Sequence, residues 1–173
     1  MSSINHSYFR YFTVIFFCLC LNLTGNAQQY GSDELFTMAR NAAFEEDDYP
    51  KAINLAKQAL EQSPDYTGIR IFLGRVYTWS DKVDSARVAF VRVLKDNPGH
   101  EDGSFAYGSL EYWNDNSKKA LNIINNGLEK HPESENLLLL KAKVLRDLKE
   151  YKLAQDANSK LLKINPKNTE ARS

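Results

Sequence analysis

The residue types that perform most enzyme chemistry are few in this sequence and are poorly spaced for it. Histidine occurs at His6, His100 and His131, and cysteine at Cys18 and Cys20. The histidines are not spaced as metal ligands, and both cysteines lie in an apolar run near the N-terminus. The sequence has no glycine-rich phosphate loop, no HExxH motif and no GxSxG motif. We therefore expect a protein that is not an enzyme and that holds no cofactor and no metal.

The charged residues exclude a further class of function. Lys and Arg together number 22, as do Asp and Glu, so the formal net charge is zero. A neutral chain lacks the simplest electrostatic basis for binding nucleic acid, and we expect no such partner. The acidic run from Glu45 to Asp48 lacks the ligand spacing of an EF-hand, which favours a solvated turn over a calcium site.

The residues best suited to binding a partner are aromatic. Trp79 and Trp113 are separated by the same interval as Gly74 and Gly108. Tryptophan, tyrosine and arginine are enriched among the residues that dominate binding energy at protein interfaces. Two tryptophans at a regular spacing can also fill the space between packed helices. Which interpretation holds depends on the elements that position them.

One constant period runs through most of the chain. It is followed by Pro64, Pro98, Pro132 and Pro166, by Ala52, Ala86, Ala120 and Ala154, and by Leu60, Leu94, Leu128 and Leu162. A period of this length, about 34 residues, indicates a repeat protein. With the prolines at position 32, the units are 33–66, 67–100, 101–134 and 135–168. Residues 28–32 form a short N-terminal segment, and residues 169–173 form a tail or an aborted fifth unit.

Each unit has the pattern of two amphipathic helices. In the second unit, residues 68–79 place apolar side chains at three- and four-residue spacing, which predicts a first helix. A polar turn at 80–82 separates it from a second helix at 83–95, which ends before Pro98 and Gly99. Small residues such as Gly74 and Ala86 predict close approach of the two helices. One such hairpin cannot bury its apolar face alone, so the units must stack.

The period and the pattern resemble the tetratricopeptide repeat (TPR) family. The shared features are a small residue at position 8, alanine at position 20 and proline at position 32, as at Gly74, Ala86 and Pro98. Units one and four depart from the family pattern at Arg40 and Asn158, as end repeats do. The resemblance covers residues 33–168. It implies an all-α fold, a right-handed α-solenoid of four helix-turn-helix units.

A finer resemblance lies in residues 66–81 (YTGIRIFLGRVYTWSD) and 111–115 (EYWND). Both segments are similar to the TPR part of YaiO-type outer-membrane proteins, a family that joins a periplasmic TPR segment to a C-terminal β-barrel. Residues 28–173 show none of the alternating ten-residue strands of a barrel. Two alternatives follow: the sequence is a piece of a longer protein, or the TPR part stands alone.

Residues 1–27 have the order of a secretory signal peptide. Arg10 is the basic residue of the first region, residues 11–23 are uncharged and largely apolar, and residues 24–27 provide small residues for cleavage. A membrane-spanning helix needs about 20 apolar residues, so this run is too short for an anchor. We expect cleavage after Ala27, a mature chain without a transmembrane segment, and a periplasmic protein associated with the outer membrane.

The resemblance also implies a binding groove, because the first helix of each TPR unit lines the concave side of the array. By register, the candidate site residues are Asn41, Phe44, Ile71, Arg75, Trp79, Phe105, Tyr112, Trp113, Lys143 and Arg146. The middle of this groove is aromatic, and the arginines and Lys143 add cationic donors. The carboxylate clamp of chaperone-binding TPR proteins is absent, since Asn41 alone matches its positions.

Three functions are compatible with these residues. The first is a non-catalytic scaffold that binds a protein or peptide in the groove, with an outer-membrane β-barrel as one candidate partner. The second is a carbohydrate-binding module for a cell-surface glycan, because stacked aromatic side chains also suit sugar rings. The third is a passive spacer whose groove is filled by another segment of a longer chain. The sequence alone does not decide between them.

Overall fold

The computed structural model describes residues 30–172, and all regular structure in that range is helical. The elements are α1 (Ser32–Phe44), α2 (Tyr49–Gln62), α3 (Thr67–Trp79), α4 (Val83–Asp96), α5 (Glu101–Trp113), α6 (Ser117–Lys130), α7 (Glu135–Asp147), α8 (Tyr151–Ile164) and a short 3₁₀ helix (Glu170–Arg172). The prediction of an all-α fold is confirmed. The predicted signal peptide, residues 1–27, lies outside the described residues. No helix among residues 30–172 is long and apolar enough to cross a membrane.

The eight helices form four antiparallel hairpins that repeat at a fixed interval. The second helices begin at Tyr49, Val83, Ser117 and Tyr151, which are evenly spaced along the chain and follow the period of the prolines. The turn of each hairpin contains one residue with positive φ, at Asp47, Asp81, Asp115 and Lys149. Aspartate tolerates this left-handed conformation better than most residues do, which explains its presence in three of the four turns. The recurring turn fixes the geometry of every hairpin.

Small residues bring the two helices of a hairpin close together, as the sequence predicts. Ala52, Ala86 and Ala120 are fully buried. A Cβ atom added to Gly74 would lie 2.5 Å from the ring of Phe90 on the partner helix, far inside contact distance. A larger residue at this position would therefore push α3 and α4 apart.

The apolar core runs along the array as a series of clusters that each join neighbouring units. Leu35 and Ala56 of unit one pack with Ile69 and Val76 of unit two. Equivalent clusters join units two and three, and units three and four. The last cluster buries Ala171 of the 3₁₀ helix against unit four. Because each cluster joins neighbours only, the fold has the one-dimensional organisation of a solenoid.

The first helices of successive units lie side by side. Helix α3 contacts α5, and α5 contacts α7, whereas each second helix packs mainly against its own first helix and the first helix of the next unit. The side with direct contact between first helices is the inner side of the curve. Residues on the exposed faces of α3, α5 and α7 are therefore brought onto one concave surface.

Residues 169–172 make contacts equivalent to those at the start of an earlier unit. The Arg172 guanidinium donates to the carbonyl of Pro166, as Arg70 does to Pro64. Glu170 forms an ion pair with Lys143 of unit four. The 3₁₀ helix thus occupies the place where a further first helix would begin.

Candidate partner-binding surface

A pocket of about 320 Å³ opens between α3 and α5 on the concave side. Its lining residues are Arg75, Thr78, Trp79, Phe90, Phe105, Ala106, Ser109, Leu110 and Trp113. Four of these, Arg75, Trp79, Phe105 and Trp113, were predicted as site residues from the repeat register. The walls are predominantly apolar, with Arg75, Thr78 and Ser109 as the polar members. We refer to this site as the central pocket.

The two tryptophans stand at the mouth of the central pocket and remain accessible to solvent. Each is the last residue of its first helix, which places both indoles at the same edge of the array. Trp113 is 75% exposed and Trp79 is 43% exposed. A side chain that fills the core cannot be three quarters exposed, so Trp113 is not a packing plug. Exposed indoles beside an apolar pocket are the arrangement expected of a recognition surface.

The Tyr112 ring contacts the Trp113 indole and is itself bonded to unit four. The centroids of the two rings lie 5.0 Å apart, with the planes tilted by 48°. The Tyr112 hydroxyl donates a hydrogen bond to the carboxylate of Asp147 on α7. This hydrogen bond, together with partial burial, raises the pKa of Tyr112 above its usual value of 10.0. The bond fixes the tyrosine ring, and the ring in turn restricts the orientation of the indole.

The aromatic surface continues into unit one through Phe44. Its ring meets Trp79 edge-on at a centroid distance of 5.5 Å and also contacts Phe72 at 6.1 Å. Tyr49, the first residue of α2, lies 6.2 Å from Trp79 on another side. Phe44 remains 55% exposed. We call Phe44, Trp79, Tyr112 and Trp113 the aromatic row; it spans units one to three.

The cationic residues are less available than the sequence suggested. Arg75 forms an ion pair with Asp102 of the following unit, and Lys143 forms one with Glu170. Each pair joins a first-helix cation to an acid near the start of the next first helix. Arg146 is exposed, and its positive charge acts on the nearby Tyr112. Of the three predicted cationic donors, two are thus partly neutralised by neighbours.

The remaining predicted residues do not all join the central pocket. Asn41 and Phe44 line a separate pocket of about 230 Å³ on α1. Lys143 and Arg146 line another, of about 250 Å³, between unit four and Glu170. Ile71 is 3% exposed and packs in the core with Phe90 and neighbouring side chains, so its assignment to the accessible groove is wrong. At this position the α3 side chain points between α4 and α5 rather than toward solvent.

Several contributors to the surface were not among the predicted site residues. Phe90, Ala106 and Leu110 form the floor of the central pocket. Asp102 and Asp147 hold Arg75 and Tyr112 in place. Asp147 follows Tyr112 by 35 residues, about one repeat, so the register offered a signal for this acid, whereas Asp102 follows Arg75 by 27 residues. Among the described residues, no group of three or more His, Cys, Asp or Glu side chains could hold a metal ion.

Fold and surface together define an α-solenoid of helical hairpins with an exposed aromatic row on its concave side. Residues 43–104 match the family model of the tetratricopeptide repeat. The match covers 62 of the 173 residues, and the four hairpins have a TPR-like solenoid fold. No curated protein matches the sequence.

Solved TPR structures are similar to this chain in fold. A tetratricopeptide repeat protein from Parabacteroides merdae superposes with a TM-score of 0.73 at 22% identity, over 82% of this chain and 56% of that one. MamA from Desulfovibrio magneticus gives a TM-score of 0.70 at 14% identity, over 84% and 81% of the two chains. A thermophilic TPR protein of Thermus thermophilus gives 0.65 at 16% identity, over 79% and 75%. The chain thus spans just over half the length of the Parabacteroides protein. At these identities the likeness concerns the fold.

Proposed function

We propose that this protein is a non-catalytic scaffold that binds a peptide segment of another protein on the aromatic row and in the central pocket. The observation that carries this proposal is the exposure of Trp79 and Trp113 around one apolar pocket. Exposed aromatic residues next to an apolar pocket provide the anchors that dominate binding at protein interfaces. The TPR fold supports the same conclusion, because stacked repeats present extended concave binding surfaces.

The composition of the central pocket favours a peptide over a sugar. Sugar hydroxyl groups need several hydrogen-bonding partners, because a buried polar group without one is costly. The pocket offers Arg75, Thr78 and Ser109, and the Arg75 guanidinium is already paired with Asp102. The other walls are aromatic or aliphatic. A large apolar side chain inserted between the two indoles would match this lining better than a sugar ring would.

The cellular setting is also part of the proposal. The order of residues 1–27 supports export through a signal peptide, and the resemblance to YaiO-type proteins supports a periplasmic site of action associated with the outer membrane. In that setting the array would hold a partner close to an outer-membrane system.

The binding proposal is tested by selecting peptides from a displayed random library on the purified protein and measuring their affinities by fluorescence polarisation. Trp113→Ala should weaken the selected peptides by about 2 kcal/mol or more, roughly thirtyfold in Kd. It should change the free energy of unfolding by about 0.5 kcal/mol or less, because the indole is mostly exposed. Tyr151→Ala is the matched control, since it removes an aromatic ring that is 64% exposed but outside the pocket.

Three results would contradict the proposal. Peptides that bind Trp113→Ala as well as the wild type would show that recognition lies elsewhere. A glycan array that yields ligands sensitive to Trp113→Ala, when the peptide library yields none, would establish the carbohydrate function instead. Failure of both libraries would favour the passive spacer.

A further inference from the structure

A further cavity lies between units three and four, away from the central pocket. It is formed by the second helices α6 and α8, with the intervening face of α7 as its floor, and has a volume of about 330 Å³. This volume falls at the lower end of the range of small-molecule sites, which runs from about 300 to 1,000 Å³. Five leucines line it: Leu121, Leu128, Leu138, Leu145 and Leu153. The apolar part of the lining is therefore large enough to receive an alkyl chain.

The repeat itself explains why the cavity is found at this junction. Tyr107 occupies the position in unit three that Lys141 occupies in unit four. The Tyr107 ring is 5% exposed and stacks on Phe90 at a centroid distance of 6.0 Å, so it fills the space between units two and three. At the next junction a lysine replaces this ring. Its slender side chain leaves the space open and introduces a charge.

That charge lacks the partner that comparable cations in this protein have. Arg87 and Lys119 each form an ion pair with Glu111. Lys141 is half-buried and, within residues 30–172, makes no ion pair or hydrogen bond with a carboxylate. Burial lowers the pKa of Lys141, and so does the neighbouring charge of Lys160.

The lining of the cavity carries a net positive charge. Lys141 and Lys160 both line it, and Asp156 is its one acidic lining residue, without an ion pair to either lysine in the described part of the chain. Two ammonium groups at the edge of an apolar cavity repel each other, and an anion placed between them would relieve that repulsion. A carboxylate would also accept charge-assisted hydrogen bonds from both lysines.

We propose that the cavity between units three and four binds a small amphiphilic carboxylate of the medium-chain fatty acid type. The alkyl chain lies against the leucines of α6, α7 and α8, and the carboxylate is held between Lys141 and Lys160. The apolar lining supplies affinity through burial of the chain. The two lysines supply the preference for an anion. This site is independent of the aromatic row, which lies on the first helices.

The proposal is tested by isothermal titration calorimetry of the purified protein with decanoate below its micelle concentration. Decanol and decyltrimethylammonium provide a neutral and a cationic headgroup on the same chain. We expect decanoate to bind at least tenfold more tightly than either. Equal affinities for all three, or no binding of decanoate, would overturn the proposal.

Substitutions of Lys141 test whether decanoate binds in this cavity. Lys141→Tyr places the residue of the preceding unit in the cavity and should abolish decanoate binding. Lys141→Gln retains the space but removes the charge, so decanoate should bind about tenfold more weakly while decanol binding is unchanged, a loss of about 1.4 kcal/mol. Lys163→Gln, an exposed position on α8 outside the cavity, is the control.

The remaining outcomes are also decisive. Decanoate binding that is unaffected by both Lys141 variants would place the ligand elsewhere and refute the assignment. Trp113→Ala should leave decanoate binding intact, because the indole lies in a different pocket. Since Lys141→Gln leaves the surrounding leucines in place, near-wild-type circular dichroism and melting temperature are expected, and loss of binding then reflects the site rather than the fold.

Discussion

Replacing Glu111 tests the least expected contact in the array, a buried carboxylate that joins three helices. The side chain of this α5 residue is fully buried. Its Oε1 atom accepts hydrogen bonds from Arg87 Nε at 2.8 Å and from Lys119 Nζ at 3.0 Å. Its Oε2 atom accepts hydrogen bonds from Asn116 Nδ2 at 2.9 Å and from Arg87 Nη2 at 3.3 Å. The carboxylate thereby connects α4 of unit two with α5 and α6 of unit three.

The loss of stability in Glu111→Ala depends on the Arg87 and Lys119 charges, which lose their carboxylate partner. Removing one partner of a buried ion pair costs about 3–5 kcal/mol, because the other charge loses its compensation. Here the Arg87 and Lys119 side chains are 30% and 49% exposed, so water can solvate them in part. Arg87 also keeps its contact with Asp84 at 3.0 Å. We therefore expect the low end of the range, a loss of about 3 kcal/mol in the free energy of unfolding.

The pH dependence of this loss has a defined sign. Burial by itself would raise the pKa of Glu111, but the hydrogen bonds and charges of Arg87 and Lys119 outweigh it and hold the pKa below 4.5. A carboxyl group whose pKa is lowered by folding stabilises the folded state above its unfolded pKa. That contribution is lost as the pH falls through the lower, folded value. The difference between wild type and Glu111→Gln should therefore be full near pH 7 and shrink below pH 4.5.

Urea denaturation at several pH values measures both effects. Glu129→Gln is the control, because Glu129 is an exposed glutamate of the same unit. It should change the free energy of unfolding by about 0.5 kcal/mol or less at each pH. A Glu111→Ala protein as stable as the wild type at pH 7, or a stability difference that grows as the medium is acidified, would refute the reasoning.

Two further predictions concern packing and export. Ala120→Leu should lower the free energy of unfolding by about 1–3 kcal/mol, because Ala120 is fully buried in the cluster that joins units three and four; an unchanged thermal melt would contradict this, and Ser85→Leu on the exposed side of α4 is a control. The exported protein should begin at Gln28 or within a residue or two of it; N-terminal sequencing that still finds residues 11–23 would instead indicate a retained anchor.

The helical architecture could be predicted from the sequence because it depends on features that recur in every unit. The predicted helices at 68–79 and 83–95 correspond to Thr67–Trp79 and Val83–Asp96. Proline and the turn residues define where helices end, and the alanines define which faces meet. Each of these signals is local or repeats at a fixed interval, so the sequence displays it several times over.

The details of the candidate site could not be predicted in the same way, because they depend on side chains that differ between units. Ile71 and Phe105 occupy the same position in successive units, yet Ile71 is buried and Phe105 lines the central pocket. The ion pair between Arg75 and Asp102 depends on a residue in the next unit. The cavity beside Lys141 is empty space between three helices, so it can be recognised only once the packing of those helices is known.

The four units share one fold but differ in net charge. Acidic and basic residues number eight and three in unit one, three and six in unit two, six and three in unit three, and four and eight in unit four. The net charge therefore alternates along the array, and every unit stacks on neighbours of opposite sign. At the junction of units two and three, the opposite charges meet directly in two ion pairs, Arg75 with Asp102 and Arg87 with Glu111.

This alternation has a consequence for how the array assembles. Repeats with a common shape can in principle stack in a wrong order, since the apolar contacts of one hairpin resemble those of the next. A stack in which unit two met unit four would bring two positively charged units together and leave Glu111 without Arg87. Like charges at an interface disfavour the wrong partner more than opposite charges strengthen the right one. The shared alanines and prolines thus specify the hairpin, while the charges that differ between units specify which hairpin follows which.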